Sequence, residues 1–279
     1  MRTKALSRPF DAFVNLLVLI LGLACLFPFL WMLRSSLMSN IEINTYPPLL
    51  WPLTPRWENY PAVLQAFPFG RYLVNTLIIA LPSLIGVLLT STLAAYALAR
   101  IDFPGRKTLF ALVIGSMLIP GAVTIIPIFL GWTALGLSSG YVPLIVPAFL
   151  GGGAFNIFLV RQFLMTIPRD LDEAALIDGA SHRQILFDIL LPLVTPVLIS
   201  VGLFTFILYW NDLLGPLIYI NDTELNTISQ ALANFKSGFG TDWKAIMAAS
   251  VMAIVPPVIL YFFGQKYFVE GIVLSGLKS

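Results

Sequence analysis

Six long apolar stretches alternate with short polar connections along this chain, at about 12–33, 72–98, 108–130, 141–163, 193–218 and 245–265. A helix that crosses a bilayer needs roughly 20 such residues at about 1.5 Å each. Each stretch meets that length, and the pattern predicts six transmembrane helices. The third and fourth are joined only by the uncharged run from Gly131 to Gly140, which predicts a tight turn at one face. Pro28, Pro82, Pro120, Pro127, Pro143, Pro147, Pro196, Pro256 and Pro257 fall within the stretches or at their ends. Neighbouring helices can satisfy the carbonyls that prolines set free. Kinks for packing are the plain expectation, and pliable helices along a moving path are the alternative. The fold class expected is all-α: a polytopic membrane protein in one membrane domain, residues 1–279, with no soluble domain.

One polar segment interrupts this pattern, residues 166–192. Pro168 suits a first helical position, and Asp170, Asp172 and Glu173 crowd the first turn, where acids complement the positive helix end. Gly179 follows Asp178, at a point where a left-handed stop needs no Cβ. Ser181-His182-Arg183-Gln184 has the spacing of a capping box. Ile185, Leu186, Ile189 and Leu190 form an apolar stripe on a second helix, which Pro192 is expected to end. The segment reads as a short helix, a glycine turn and a second helix lying along a membrane face. The plainest alternative is an ordinary amphipathic connection at the interface. Small Ala174 and Ala175 beside Glu173 point instead to a surface that another protein approaches closely.

Composition agrees with a bilayer as the solvent. The chain has 279 residues, of which 58% are hydrophobic and 11% charged; soluble domains carry about 25% charged residues. Mean hydropathy is +0.89. The net charge of +2 is too small to point to nucleic acid. Cys25 is the only cysteine and His182 the only histidine, which excludes an intrachain disulfide and argues against a His/Cys metal site. The run from Phe13 to Leu33 exceeds the roughly 7–15 residues of a signal-peptide core. With no small-residue cleavage pattern behind it, it reads as a retained first span.

Charge sets the orientation. With the N-terminus inside, 11 of the 16 Lys and Arg residues lie on inner segments, among them Arg2, Lys4, Arg8, Arg100, Arg106 and Arg183. The other 5, Arg34, Arg56, Arg71, Lys236 and Lys244, lie outside. Cytoplasmic loops carry the excess of basic residues, so both termini and residues 164–192 are expected in the cytoplasm. The outer loop from Arg34 to Arg71 is rich in Pro, Trp and Tyr, which suits a loop folded on the membrane surface.

The chain lacks the phosphate-binding loop G-x-x-x-x-G-K-[ST], so it has no visible means of using ATP itself. Gly151-Gly152-Gly153 lies within the fourth stretch, where it permits close helix packing. Trp210-Asn211-Asp212 places an amide and a carboxylate late in the fifth stretch. Ionisable groups there are candidates for a translocation path, together with Asn156. A helix end at the interface, with Asp212 in water, is the alternative for the first three, and polar glue between helices for Asn156.

Glu173-Ala174-Ala175, three residues, Gly179, nine residues and Ile189-Leu190-Leu191-Pro192 resemble the signature loop of binding-protein-dependent ABC importer permeases. The flanking text sharpens the likeness: Phe158 to Phe163, Ile167-Pro168-Arg169 and Ile177 to Ser181. Trp210-Asn211-Asp212, Tyr46-Pro47-Pro48, Glu58-Asn59-Tyr60 and Tyr267 to Gly271 are similar to the carbohydrate-uptake branch, in particular the smaller permease of maltose-type importers. The tail departs from it, with Leu277 where relatives often carry a smaller residue. The resemblance implies a permease subunit of the bacterial or archaeal cytoplasmic membrane that moves a sugar or oligosaccharide inward. It implies a second permease, two cytoplasmic ATPase subunits, a solute-binding protein and membrane lipid as partners. No catalytic residue, metal or cofactor is expected on this chain; ATP and Mg belong to the partners. Glu173, Ala174, Ala175, Asp178, Gly179, Ser181, His182 and Arg183 are the implied ATPase-coupling loop.

Three other readings compete. A permease for a non-sugar solute shares the same scaffold. A stand-alone secondary transporter would need ionisable residues in its spans or inverted repeats, and neither is evident. An intramembrane enzyme would need a nucleophile and base, or metal ligands, in a span.

Overall fold

The computed structural model describes residues 7–66, 68–233, 236–237 and 240–276, with side chains outside 7–10, 236–241 and 267–276. Arg2, Lys4 and Leu277, and the side chains of Arg8, Lys236 and Tyr267 to Gly271, lie outside the described residues.

In chain order the first helices are α1 (Ser7–Ser36), α2 (Asn40–Ile43), α3 (Asn59–Ala66) and α4 (Phe69–Arg100). Then come α5 (Arg106–Ser116), α6 (Gly121–Ala134), α7 (Val142–Ile145) and α8 (Ala154–Leu164). The second half holds α9 (Asp170–Ile177), α10 (His182–Gln184), α11 (Leu191–Trp210), α12 (Leu214–Tyr219), α13 (Ile228–Ala233) and α14 (Trp243–Gly276). Lys236–Ser237 and Gly240–Thr241 form a minimal antiparallel ribbon. The protein is all-α in substance, as the apolar pattern requires.

Among the described residues, five helices are long and apolar enough to cross a membrane. The third predicted span differs: α5 and α6 meet at a 102° bend. Pro120 has no amide hydrogen to continue the ladder and biases Ile119 away from helix. At φ −62° and ψ 131° it sits extended and starts α6 afresh. The fourth span also carries a break. α7 passes into a 3-10 turn, Val146–Phe149, and then Gly151, Gly152 and Gly153 all take positive φ before α8 begins.

Two compact units share the chain, residues 1–69 with 232–255 and residues 70–231 with 256–279. In the first unit, residues 11–30 of α1 are exposed throughout, as suits a helix whose solvent is lipid. The loop after α1 is pinned by Glu42. Its carboxylate accepts from the Ser39 amide (2.8 Å), the Ser39 hydroxyl (2.7 Å) and the Leu53 amide (3.1 Å). Asn59 donates to the carbonyls of Ser36 and Met38. Asn40 donates to Asp242 and accepts from the Lys244 amide. Val63 packs on Ala245, Ala248 and Ala249.

The second unit is built on α4, α8 and α11. Ala95, Tyr96 and Ala99 of α4 meet Val160 and Leu164 of α8, and Ile185, Leu190 and Val194 close the core. Gly152 shows why the glycine run is there. A Cβ on it would lie 2.7 Å from the Ser91 amide nitrogen, so only glycine lets the broken span sit against α4.

Candidate functional site

The polar segment folds from local signals. α9 begins at Asp170, two residues after Pro168, and carries Asp170, Asp172 and Glu173 in its first turn. Gly179 ends it at φ 82°. The Gly179 amide donates to Leu176 O and the Ala180 amide to Ala175 O, which closes the helix end with its orphan carbonyls satisfied. Nothing lies within 4 Å of a Cβ built on Gly179, so backbone conformation alone requires glycine there. The capping box is complete: the Ser181 hydroxyl accepts from the Gln184 amide, and the Gln184 side chain accepts from the Ser181 amide at 2.8 Å.

The second helix does not stop at Pro192. α10 runs through a π-helical stretch, Ile185–Leu190, directly into α11. The Leu191 amide bonds back to Leu186 O, a five-residue step. A wider π turn accommodates the missing amide and the ring of Pro192, which an ordinary α turn would not. α10 is therefore continuous with the fifth span, where a separate surface helix was expected.

Burial divides the expected coupling residues. Glu173, Ala174, Asp178, Gly179, Ser181, His182 and Arg183 are exposed. Ala175 turns inward and is 8% exposed, packed in the core that holds Ile185, Leu186 and Leu190. Its side chain therefore faces away from the surface that Ala174 presents. Two residues that sequence reasoning passed over join the outward face: Leu176, and Ile177 at 86% exposure. Their signal was available, since apolar residues at the end of a short polar helix, beside a glycine turn, have no core to enter. The surface is thus an apolar patch with Glu173, Asp178 and Arg183 close by in sequence, the composition of a protein contact.

Arginines fasten this segment to the spans. Arg100, last residue of α4, donates to Leu164 O and Ile167 O at 2.9 Å each. It also pairs with Asp172 at 3.1 Å, with side-chain exposures of 5% and 14%. Arg161 donates to Leu98 O and Arg169 to Ala99 O, so the C-terminal carbonyls of α4 are capped in return. The Tyr96 hydroxyl lies 3.2 Å from His182 Nδ1 and donates to His182 O. The sequence reading used Arg100 only for orientation and Asp172 only for the helix dipole.

The expected path residues do separate jobs. Trp210 is buried and stacks on Phe206 with centroids 5.3 Å apart; its carbonyl accepts from Ser229. Asn211 is exposed and donates back to Ile207 O. Asp212 lies past the end of α11 and accepts from the Gly215 amide at 3.1 Å. Asn156 stands at the start of α8 and donates to Gly152 O. Among the described residues, no group of three or more His, Cys, Asp or Glu could hold a metal ion.

Comparison with known proteins gives one answer. The model of a family described as binding-protein-dependent transport system inner membrane component matches residues 72–273. A probable ABC transporter permease protein of Pyrococcus horikoshii is 34% identical over 261 residues, 93% of this chain and 95% of that one. The sn-glycerol-3-phosphate transport system permease protein UgpE of Pectobacterium atrosepticum is 34% identical over 279 residues, 96% of this chain and 98% of that one. A bacterial ABC transporter involved in the import of the acidic polysaccharide alginate contains a chain of the same fold. The TM-score is 0.81 at 26% identity, covering 96% of this chain and 99% of that chain.

Proposed function

Because the chain belongs to the binding-protein-dependent transport system inner membrane component family, a multi-pass membrane permease of ABC importers, we propose that it moves a sugar or oligosaccharide into the cytoplasm. The energy comes from ATP hydrolysed on two partner subunits that dock on Glu173, Ala174, Gly179 and their neighbours. A second permease completes the path, and an extracytoplasmic binding protein delivers the solute. Both termini and the coupling segment face the cytoplasm, in keeping with the 11 to 5 division of basic residues.

One observation carries the reading: a doubly capped helix-turn-helix, apolar and charged on its outer face, continuous with one span and ion-paired to another. Such a piece suits the delivery of a partner's motion to the membrane. The relatives' names favour hydroxyl-rich solutes, an acidic polysaccharide in one case and a glycerol phosphate in another. The latter name keeps a non-sugar solute as the second reading. Trp210, Asn211, Asp212 and Asn156 remain the candidates for the path.

The test is uptake into proteoliposomes that hold this chain with the permease, ATPase and binding protein encoded beside it. ATP-dependent accumulation of a labelled oligosaccharide supports the proposal. Accumulation of glycerol phosphate alone transfers it to the second reading, and uptake by this chain without ATPase refutes it.

A further inference from the structure

A coupling segment transmits displacement only as well as it is joined to the helices it moves. α9 is joined to α8 by a short turn and to α10 by the glycine turn at Gly179. Arg100 braces the first of these junctions. Its planar guanidinium bonds Leu164 O at the end of α8, Ile167 O in the turn that follows, and Asp172 in the first turn of α9. Arg161 and Arg169 return bonds to Leu98 O and Ala99 O. The ends of α4 and α8 and the start of α9 thereby form one joint, with a nearly dry ion pair at its centre. A guanidinium fork holds direction as well as distance, which a lysine ammonium does not. A buried pair also responds steeply to the loss of one partner.

We propose that Arg100 and Asp172 are positioning residues for energy coupling: they convert movement of the ATPase-bound segment into movement of the second span. The proposal rests on the reading of residues 166–192 as the ATPase dock, and its effect is separate from docking. Neither side chain belongs to the exposed face, so a partner binds whether or not the pair is intact.

The test uses the complete importer in proteoliposomes, with Asp172→Asn and Arg100→Lys. Asp172→Asn keeps shape and removes the charge; Arg100→Lys keeps charge and removes the fork. Three quantities are read: ATPase recovered with the permease, ATP hydrolysed, and solute accumulated per ATP. Normal ATPase recovery with solute per ATP lowered about tenfold in both variants is the expected result, within the usual range of coupling between sites. Unchanged solute per ATP in both overturns the proposal. So does loss of both variants from the membrane fraction, since the pair would then serve folding alone. A separate arm, Glu173→Lys, tests the dock itself: undiminished ATPase recovery there refutes the docking reading, whatever the ion-pair variants do.

Discussion

The amide of Ala180 donates to the carbonyl of Ala175 at 2.9 Å, across a left-handed Gly179. This bond turns the chain from α9 into α10 and sets the outer face of the segment. Any Cβ at Gly179 meets open space, so Gly179→Ala should cost backbone strain only, about 1 kcal/mol. The purified variant should melt slightly below wild type. A loss several times larger would show a packing role that the geometry does not contain.

Ala174 and Ala175 are adjacent but face opposite ways, one exposed and one in the core. Ala175→Leu should overpack the region of Ile185 and Leu190 and cost roughly 1–3 kcal/mol. Ala174→Leu should leave the melting temperature nearly unchanged and weaken ATPase binding. Equal melting losses for both would contradict the assigned facing.

Glu42 pins the outer loop through Ser39 and Leu53. The Ser39 amide above all, then its hydroxyl, the Leu53 amide and Arg56, hold its carboxyl below the ordinary glutamate range. A depressed carboxyl stabilises fully above the unfolded value of about 4.3 and loses that contribution as pH falls through the lower folded value. Hydrogen exchange of residues 39–56, corrected for intrinsic rate, should therefore be equally slow at pH 7 and pH 5. Glu42→Gln should speed it at both. Protection that fades in wild type between pH 7 and 5 would refute the pin.

Orientation is open to direct test in a Cys25→Ala background. Thr45→Cys is at an exposed point of the loop after α1, and Ser181→Cys at the exposed start of α10. An impermeant thiol reagent added to intact cells should label the first and spare the second. The reverse pattern would invert the assignment of sides.

Much of this architecture was legible in the chain, because hydropathy, caps and glycine are local signals. The capping box at Ser181, the left-handed Gly179 and the acidic first turn of α9 each depend on four or five neighbouring residues. A kink at Pro120 was expected, but not a 102° bend between α5 and α6, since hydropathy counts apolar side chains and ignores the backbone ladder that Pro120 interrupts. The run through Pro192 escaped for the opposite reason: a π turn absorbs a proline that local rules treat as a stop. Arg100 and Asp172 are far apart in sequence, and no short pattern marks a pair that only the packing of α4, α8 and α9 creates. Facing of Ala174 and Ala175 is likewise decided by tertiary contact, as both are equally small.

The central claim is that this segment holds the ATPase, and Gly179→Asp tests it most directly. Aspartate enters the left-handed region more readily than most residues, so the fold should survive. Its charge falls beside Asp178 at the negative end of α9, on the outer face. The measurement is recovery of the ATPase with wild type and with Gly179→Asp, from membranes holding matched amounts of permease. The account predicts that recovery falls to about a tenth or less, an effect of about 1.4 kcal/mol or more, and that solute-stimulated ATP hydrolysis falls with it. Equal recovery with normal stimulation would contradict it, and residues 166–192 would then be no more than a connection along the membrane surface.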